Sequence, residues 1–212
     1  MQYFSSLQDL LFPPHCSGCG LPGATLCVNC QKSFRLNDYQ SYIGKISVFS
    51  AANYNPVTRR ILLAAKEDGV RAADDLILTA LHHSISHALR RSGNQPILVP
   101  IPSAPRAVRT RGRDFVAEIS KSLSQLIGLP TQNLLRHNRK VSDQSRLDAT
   151  SRFKNLDGAI MLTKRPVRLH EVFLIDDLLT TGATLNEAVR TLEMNGFRVT
   201  AAVTALVSLP LR

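Results

Sequence analysis

Tryptophan is absent, and phenylalanine and tyrosine bring the aromatic fraction only to 6%. Stacking platforms for nucleic-acid bases are therefore scarce. Glycine and proline number 11 each in 212 residues, too few for a collagen-like or low-complexity chain. No apolar run approaches the ~18 residues of a membrane-spanning helix. The opening stretch, MQYFSSLQDLLFPP, lacks the basic segment and continuous apolar run of a secretory signal, so the expected location is the cytoplasm. Internal repeats are also lacking. What is present is a hydrophobic fraction of 44%, enough to bury a core and to exclude wholesale disorder.

Acidic residues are in deficit, 16 against 26 Lys and Arg, which leaves a net charge of +10. The excess is uneven. Between Ile101 and Asn155 stand 11 basic residues (Arg106, Arg109, Arg111, Arg113, Lys121, Arg136, Arg139, Lys140, Arg146, Arg152, Lys154) and four acidic ones (Asp114, Glu118, Asp143, Asp148). Seven of the ten excess charges thus lie in about a quarter of the chain. Such a zone implies an anionic partner, nucleic acid or a polyphosphate, or else a solvated basic face.

Cysteine is scarce but concentrated: all four residues fall in Cys16-x2-Cys19-x7-Cys27-x2-Cys30. Each Cys-x-x-Cys pair lets two thiolates converge on one ion, and the second pair closes a tetrahedron. A chain held in a reducing compartment would not pair them as disulfides, and a redox motif needs one such pair rather than two. The expectation is a structural Zn²⁺ at Cys16, Cys19, Cys27 and Cys30, without an open position for chemistry. So short a lobe would draw its folding free energy from the metal. His82, His83 and His87 share a helical stretch with no cysteine or carboxylate near in sequence, and are expected to be exposed.

Beyond about residue 46 strand and helix patterns alternate. Ile46–Tyr54, 96–102, Ala159–Leu162, Val172–Ile175 and Val199–Val207 read as strands. Helical patterns run from Pro56 to Glu67, over 73–91, through Phe115, Ile119, Leu123 and Leu126, and from Ala183 to Asn195. Residues after Pro102 read as a basic loop. Alternation of this kind predicts an α/β domain with a mostly parallel sheet covered by helices on both faces. The expected division is a four-cysteine lobe over 1–45 and the α/β domain over 46–212, because polar residues and Gly44 interrupt the apolar pattern between Phe34 and Lys45.

The most informative stretch is VFLIDDLLTTGATL, residues 172–185. An apolar strand leads to two carboxylates, then to a hydroxyl-rich loop with one glycine that starts a helix. That edge of an open α/β sheet is where ligands bind. Free N–H groups at a helix start attract anions. Thr180, Thr181 and Thr184 add hydroxyl donors, while Gly182 and Ala183 keep the backbone accessible. Asp176 and Asp177 suit vicinal hydroxyls, since an ionised carboxylate only accepts hydrogen bonds. Phosphate beside a diol describes a ribose 5-phosphate.

These residues resemble the phosphoribosyl-diphosphate (PRPP) motif of type I phosphoribosyltransferases. From roughly residue 10 to 208 the chain resembles the ComF family, competence-associated proteins that join a four-cysteine zinc module (a small zinc-ribbon or knuckle lobe) to such a domain. Tyr54 with Leu63–Gly69, Pro100-Ile-Pro102 with Arg109–Gly112, and Gln144, Leu147, Arg152 and Asn155 are similar to further family segments. The resemblance implies PRPP binding with Mg²⁺, catalytic roles for Lys66, Arg111, Asp176 and Asp177, and a link to DNA uptake or nucleotide metabolism. Alternatives are a scaffold that binds single-stranded DNA and a PRPP sensor with a protein partner from a DNA-uptake system. No residue names the acceptor of a transferred phosphoribosyl group. Where the family continues Arg-Gly with Phe-Asn-Gln, this chain has Arg113, Asp114 and Phe115, and Arg113 is expected to gain a diphosphate contact.

Overall fold

Val172, Phe173, Leu174 and Ile175 are each fully buried, and they sit in the strand around which the chain is built. A computed structural model describes residues 13–92, 95–138, 158–163 and 171–208. Its elements are α1 (Val28–Ser33), β1 (Tyr39–Ile43), β2 (Ile46–Asn53), α2 (Pro56–Lys66), α3 (Arg71–Ser92), β3 (Ile97–Pro100), α4 (Pro105–Arg111) and α5 (Phe115–Ile127). They continue with β4 (Leu135–His137), β5 (Ile160–Leu162), β6 (Glu171–Leu179), α6 (Ala183–Met194) and β7 (Arg198–Val207).

The main sheet runs β1-β2-β7-β6-β3. Four of these strands are parallel, and β1 adds to the edge as an antiparallel hairpin with β2. The α/β, mostly parallel reading is thus borne out. Side chains alternate across the sheet, so a strand covered on both faces reads as one apolar run. Phe173 and Ile175 join a core with Ile61, Ile77, Leu81 and Phe115 from α2, α3 and α5. Val172 and Leu174 face a second core with Leu185, Ala188 and Leu192 of α6 and Leu135 and Ile160 of the β4–β5 ribbon.

Local signals explain the helix limits. Asn55 caps α2 by accepting from the N–H groups of Val57 and Thr58, and Pro56 fills the first helical position, where no N–H is needed. Asp114 caps α5 by accepting from the Ala117 N–H.

Ile160–Leu162, read as part of the parallel sheet, instead pairs antiparallel with β4 in a separate two-stranded ribbon, and three further departures bear on the site. The segment after Pro102 is not all loop: Pro105 at a helix start and Gly112 at its end close α4. Strand β6 extends through Leu179, so Asp176 and Leu178 still pair in register with Thr204 and Leu206 of β7. Tyr39–Ile43, read as an interruption, is an edge strand; none of its residues is buried, and Tyr42 is exposed. The expected 45/46 division falls in the turn of this hairpin.

The cysteine lobe shares the larger core. Cys16, Leu26, Cys30 and Phe34 are buried in one cluster with Ile61, Leu62 and Ala65 of α2. Gly18 makes the approach possible: a Cβ there would meet the Cys30 Sγ at 2.6 Å and Val57 Cγ1 at 3.3 Å.

Candidate functional site

At the carboxyl end of the parallel strands, β6 hands over to Thr180, Thr181 and Gly182, and α6 starts at Ala183. Gly182 takes the left-handed conformation, φ 74°, and offers no side chain to cap the helix. The first-turn N–H groups of α6 are therefore left for another acceptor; a long contact of 3.4 Å from the Ala183 N–H to Thr181 Oγ1 is the exception. These residues, with Thr184, Leu185, Leu178, Leu179 and Asp176, line a shallow open cleft. The Ser208 N–H donates to the Leu179 carbonyl at 2.8 Å and ties down the base of the loop.

The two aspartates have different neighbours. Asp176 lines the cleft and accepts from the Asp177 N–H at 2.9 Å. Burial, then the Asp177 charge, push the Asp176 carboxyl well above the usual carboxylate range, against the pull of Lys66. The Asp177 side chain is 7% exposed and forms an ion pair with Lys66 from the last turn of α2. Burial lowers the Lys66 pKa, but the Asp177 charge and hydrogen bond outweigh it, and the value ends above the ordinary one. Glu67, next in the chain, accepts from Arg111 Nε at 2.5 Å. Lys66, Arg111, Asp176 and Asp177, far apart in sequence, thus meet at one end of the sheet. The carboxylate on Arg111 was not foreseen; Glu67 offers no signal beyond standing beside Lys66.

Arg113 is placed elsewhere than expected. It donates to Asp74 Oδ2 at 3.1 Å and Glu118 Oε2 at 2.8 Å, and lies 5.3 Å from the centre of the Phe115 ring. A guanidinium held between α3 and α5 braces the turn after α4; it is not presented to a diphosphate. The histidines also differ from expectation. His82 is exposed, but His83 and His87 are half-buried against Asp38, at 2.9 and 3.5 Å, a carboxylate that the fold brings from before β1. Gln144, Leu147, Arg152 and Asn155, with Arg139, Lys140, Arg146, Lys154, Asp143 and Asp148, lie outside the described residues.

The four cysteine sulfurs gather within 4.8 Å of one another. Cys19 and Cys27 are 3.8 Å apart, the separation of about 3.8 Å that two thiolates take around a tetrahedral ion at ~2.3 Å. Burial pushes the Cys16 thiol up, but hydrogen bonds from the backbone of Cys27, Cys19 and Gly18 win and bring it down to about 6. Burial and the surrounding cysteines push Cys30 up instead; a bound cation would reverse that by claiming the thiolate. Spacing, gathering and the Gly18 cradle fit a metal ion.

Fold and site together define the class: an α/β protein with a hydroxyl-rich loop and paired aspartates at the carboxyl end of its parallel strands, joined to a four-cysteine lobe. Over 102 residues the chain is 30% identical to competence protein F of Haemophilus influenzae, a match that covers 47% of this chain and 44% of that protein. The chain therefore spans less than half the length of this relative. No protein-family profile matches. Among solved structures, an orotate phosphoribosyltransferase from Aeropyrum pernix aligns at 16% identity and a TM-score of 0.45, covering 85% of this chain and 78% of that one. An adenine phosphoribosyltransferase from Saccharomyces cerevisiae aligns at 11% and 0.44, covering 85% and 89%. The ComF-like character read from the motifs is borne out by the competence protein match and the gathered cysteines. No helix among the described residues is long and apolar enough to cross a membrane.

Proposed function

We propose that the protein is a ComF-like, PRPP-binding member of the phosphoribosyltransferase-like α/β proteins, with a structural zinc in its cysteine lobe. The carrying observation is the cleft that Asp176, Thr180–Thr184 and the uncapped start of α6 line together. The helix N–H groups and threonine hydroxyls take the 5-phosphate. Asp176 accepts from the ribose hydroxyls, and Asp177, one residue on, completes the acidic pair. Lys66 and Arg111, here paired with Asp177 and Glu67, are the cations that would turn to the diphosphate. Two adjoining carboxylates, one of them pushed toward protonation by burial and by the other, also suit a hard cation; Mg²⁺ would be held on the Asp176 side and would neutralise diphosphate charge. Transfer of the phosphoribosyl group to an acceptor is the reaction such a site supports.

Isothermal titration with PRPP and Mg²⁺ tests the reading. Binding that falls at least tenfold in Asp176→Ala and in Thr181→Val supports it, a tenfold loss being about 1.4 kcal/mol, close to one charged hydrogen bond. Unchanged affinity in Asp176→Ala/Asp177→Ala would overturn the ribose assignment.

A second reading, single-stranded DNA handling, is favoured by the exposed arginines of α2 and α4: Arg59, Arg60 and Arg109. It requires a steep salt dependence of binding, about −0.7 in log–log slope per phosphate neutralised. Absence of any complex at low salt rejects it. DNA that PRPP displaces would mean that one basic site serves both ligands.

A further inference from the structure

Gly182 is the residue on which the loop turns, and the space beside its α-carbon is filled. A Cβ built there would lie 2.8 Å from Cδ1 and 2.9 Å from Cγ1 of Ile43. Ile43 is the last residue of β1, 139 positions earlier in the chain, at the tip of the edge hairpin. With Tyr39 it packs against the apolar cluster that contains Leu179 and Leu185, the two residues that flank the loop. The loop is thus backed at its centre and at both ends by one hydrophobic surface.

We infer that Ile43 is a positioning residue for the loop: its side chain holds Gly182 in the left-handed conformation, so that the first-turn N–H groups of α6 keep their direction before any ligand arrives. Gly182 then serves two ends. Its positive φ suits glycine, and its missing side chain makes room for Ile43 rather than for the ligand. A loop fixed in its binding geometry loses less freedom when an anion binds, which raises affinity without a new contact. The backing comes from an edge hairpin, whose position in turn depends on α3 through His83 and Asp38 at 2.9 Å and Arg91 and Gln40 at 2.7 Å.

The inference rests on the proposed ligand reading for its effect on affinity, though not for its effect on the loop, and two readouts keep these separate. Amide hydrogen exchange across residues 179–185 of the free, metal-loaded protein reports the loop. Isothermal titration with PRPP and Mg²⁺ reports the site. Ile43→Ala should speed exchange in the loop at least fivefold, leave β3 and α5 protected as in the parent, and weaken PRPP at least fivefold. Ile43→Val, which loses Cδ1 but keeps a methyl at the Cγ1 position, should fall between Ile43→Ala and the parent in both. Gly182→Ala should lose affinity, and Gly182→Ala/Ile43→Ala should recover at least threefold of it, because the collision is relieved while the strained φ remains. Loop exchange in Ile43→Ala equal to the parent overturns the inference, as does a double variant no better than Gly182→Ala in loop exchange. A parent that binds no PRPP overturns the proposed ligand, and the exchange data still judge Ile43.

Discussion

Replacing Lys66 with methionine keeps most of the aliphatic stem and deletes the charge. Asp177 is then left 7% exposed and without its counter-ion. Removing one partner of a buried pair costs about 3–5 kcal/mol, whereas exposed pairs contribute about 0–1 kcal/mol. The Lys66 side chain keeps 24% exposure, which puts the loss between those limits, at about 2–3 kcal/mol. In a chain of this size each kcal/mol lowers Tm by about 2–4 °C. Asp177→Asn should cost less, because the ammonium can turn toward water. Lys66→Met/Asp177→Asn should be more stable than Lys66→Met alone, with a coupling of at least about 1 kcal/mol. Urea unfolding at fixed metal concentration measures all four states. The pair also has a pH signature. The Lys66 pKa is raised in the folded state above the ordinary 10.5, so its contribution is complete below 10.5 and is lost as pH climbs through the folded value. The gap between parent and Lys66→Met should therefore hold steady through neutral pH and narrow only at strongly alkaline pH. Strictly additive single effects, or a Lys66→Met variant within about 0.5 kcal/mol of the parent, would refute the reasoning.

Cys27→Ser should abolish stoichiometric zinc, one ion per chain in the parent, as read by elemental analysis; retained zinc would reject the four-thiolate site. Because Cys16, Leu26, Cys30 and Phe34 share the core of α2, the same variant should lower the melting of the whole chain and not only loosen the lobe. Arg113→Met should destabilise by about 1–3 kcal/mol, since it strands Asp74, whose Oδ1 already is buried without a hydrogen-bond partner among the described residues. PRPP affinity in that variant should match the parent's; a tenfold loss would return Arg113 to the ligand.

Much of the fold could be read from periodicity, and the reason is visible in β6. Val172–Ile175 is buried on both faces, so its side chains had to be uniformly apolar, whereas α5 carries its apolar residues on one stripe. The loop could be read because it is local: Thr180–Thr184 occupy consecutive positions. Contacts across the chain left no mark. Nothing near Asp38 announces His83, and nothing near Gly182 announces Ile43, because each pairing is decided by where a strand edge meets a helix or a turn. Arg113 shows the same limit in reverse. Its charge suggested an anionic ligand, but Asp74 and Glu118 come from helices that only the fold brings alongside.

The hairpin turn at residues 44 and 45 bears on how this chain could be divided. A fragment beginning at Ile46 would keep every residue of the loop and both aspartates, yet it would lose β1. Strand β2, with Val48, Phe49, Ser50, Ala51 and Ala52 all buried, would become the sheet's outer boundary, a largely apolar edge with unpaired backbone groups. Such an edge invites pairing with another copy. The same cut would strip Phe34 and Leu26 from the outer side of α2. Strand β1 of this hairpin therefore covers the edge of β2, and a shortened fragment should self-associate more strongly than the intact chain.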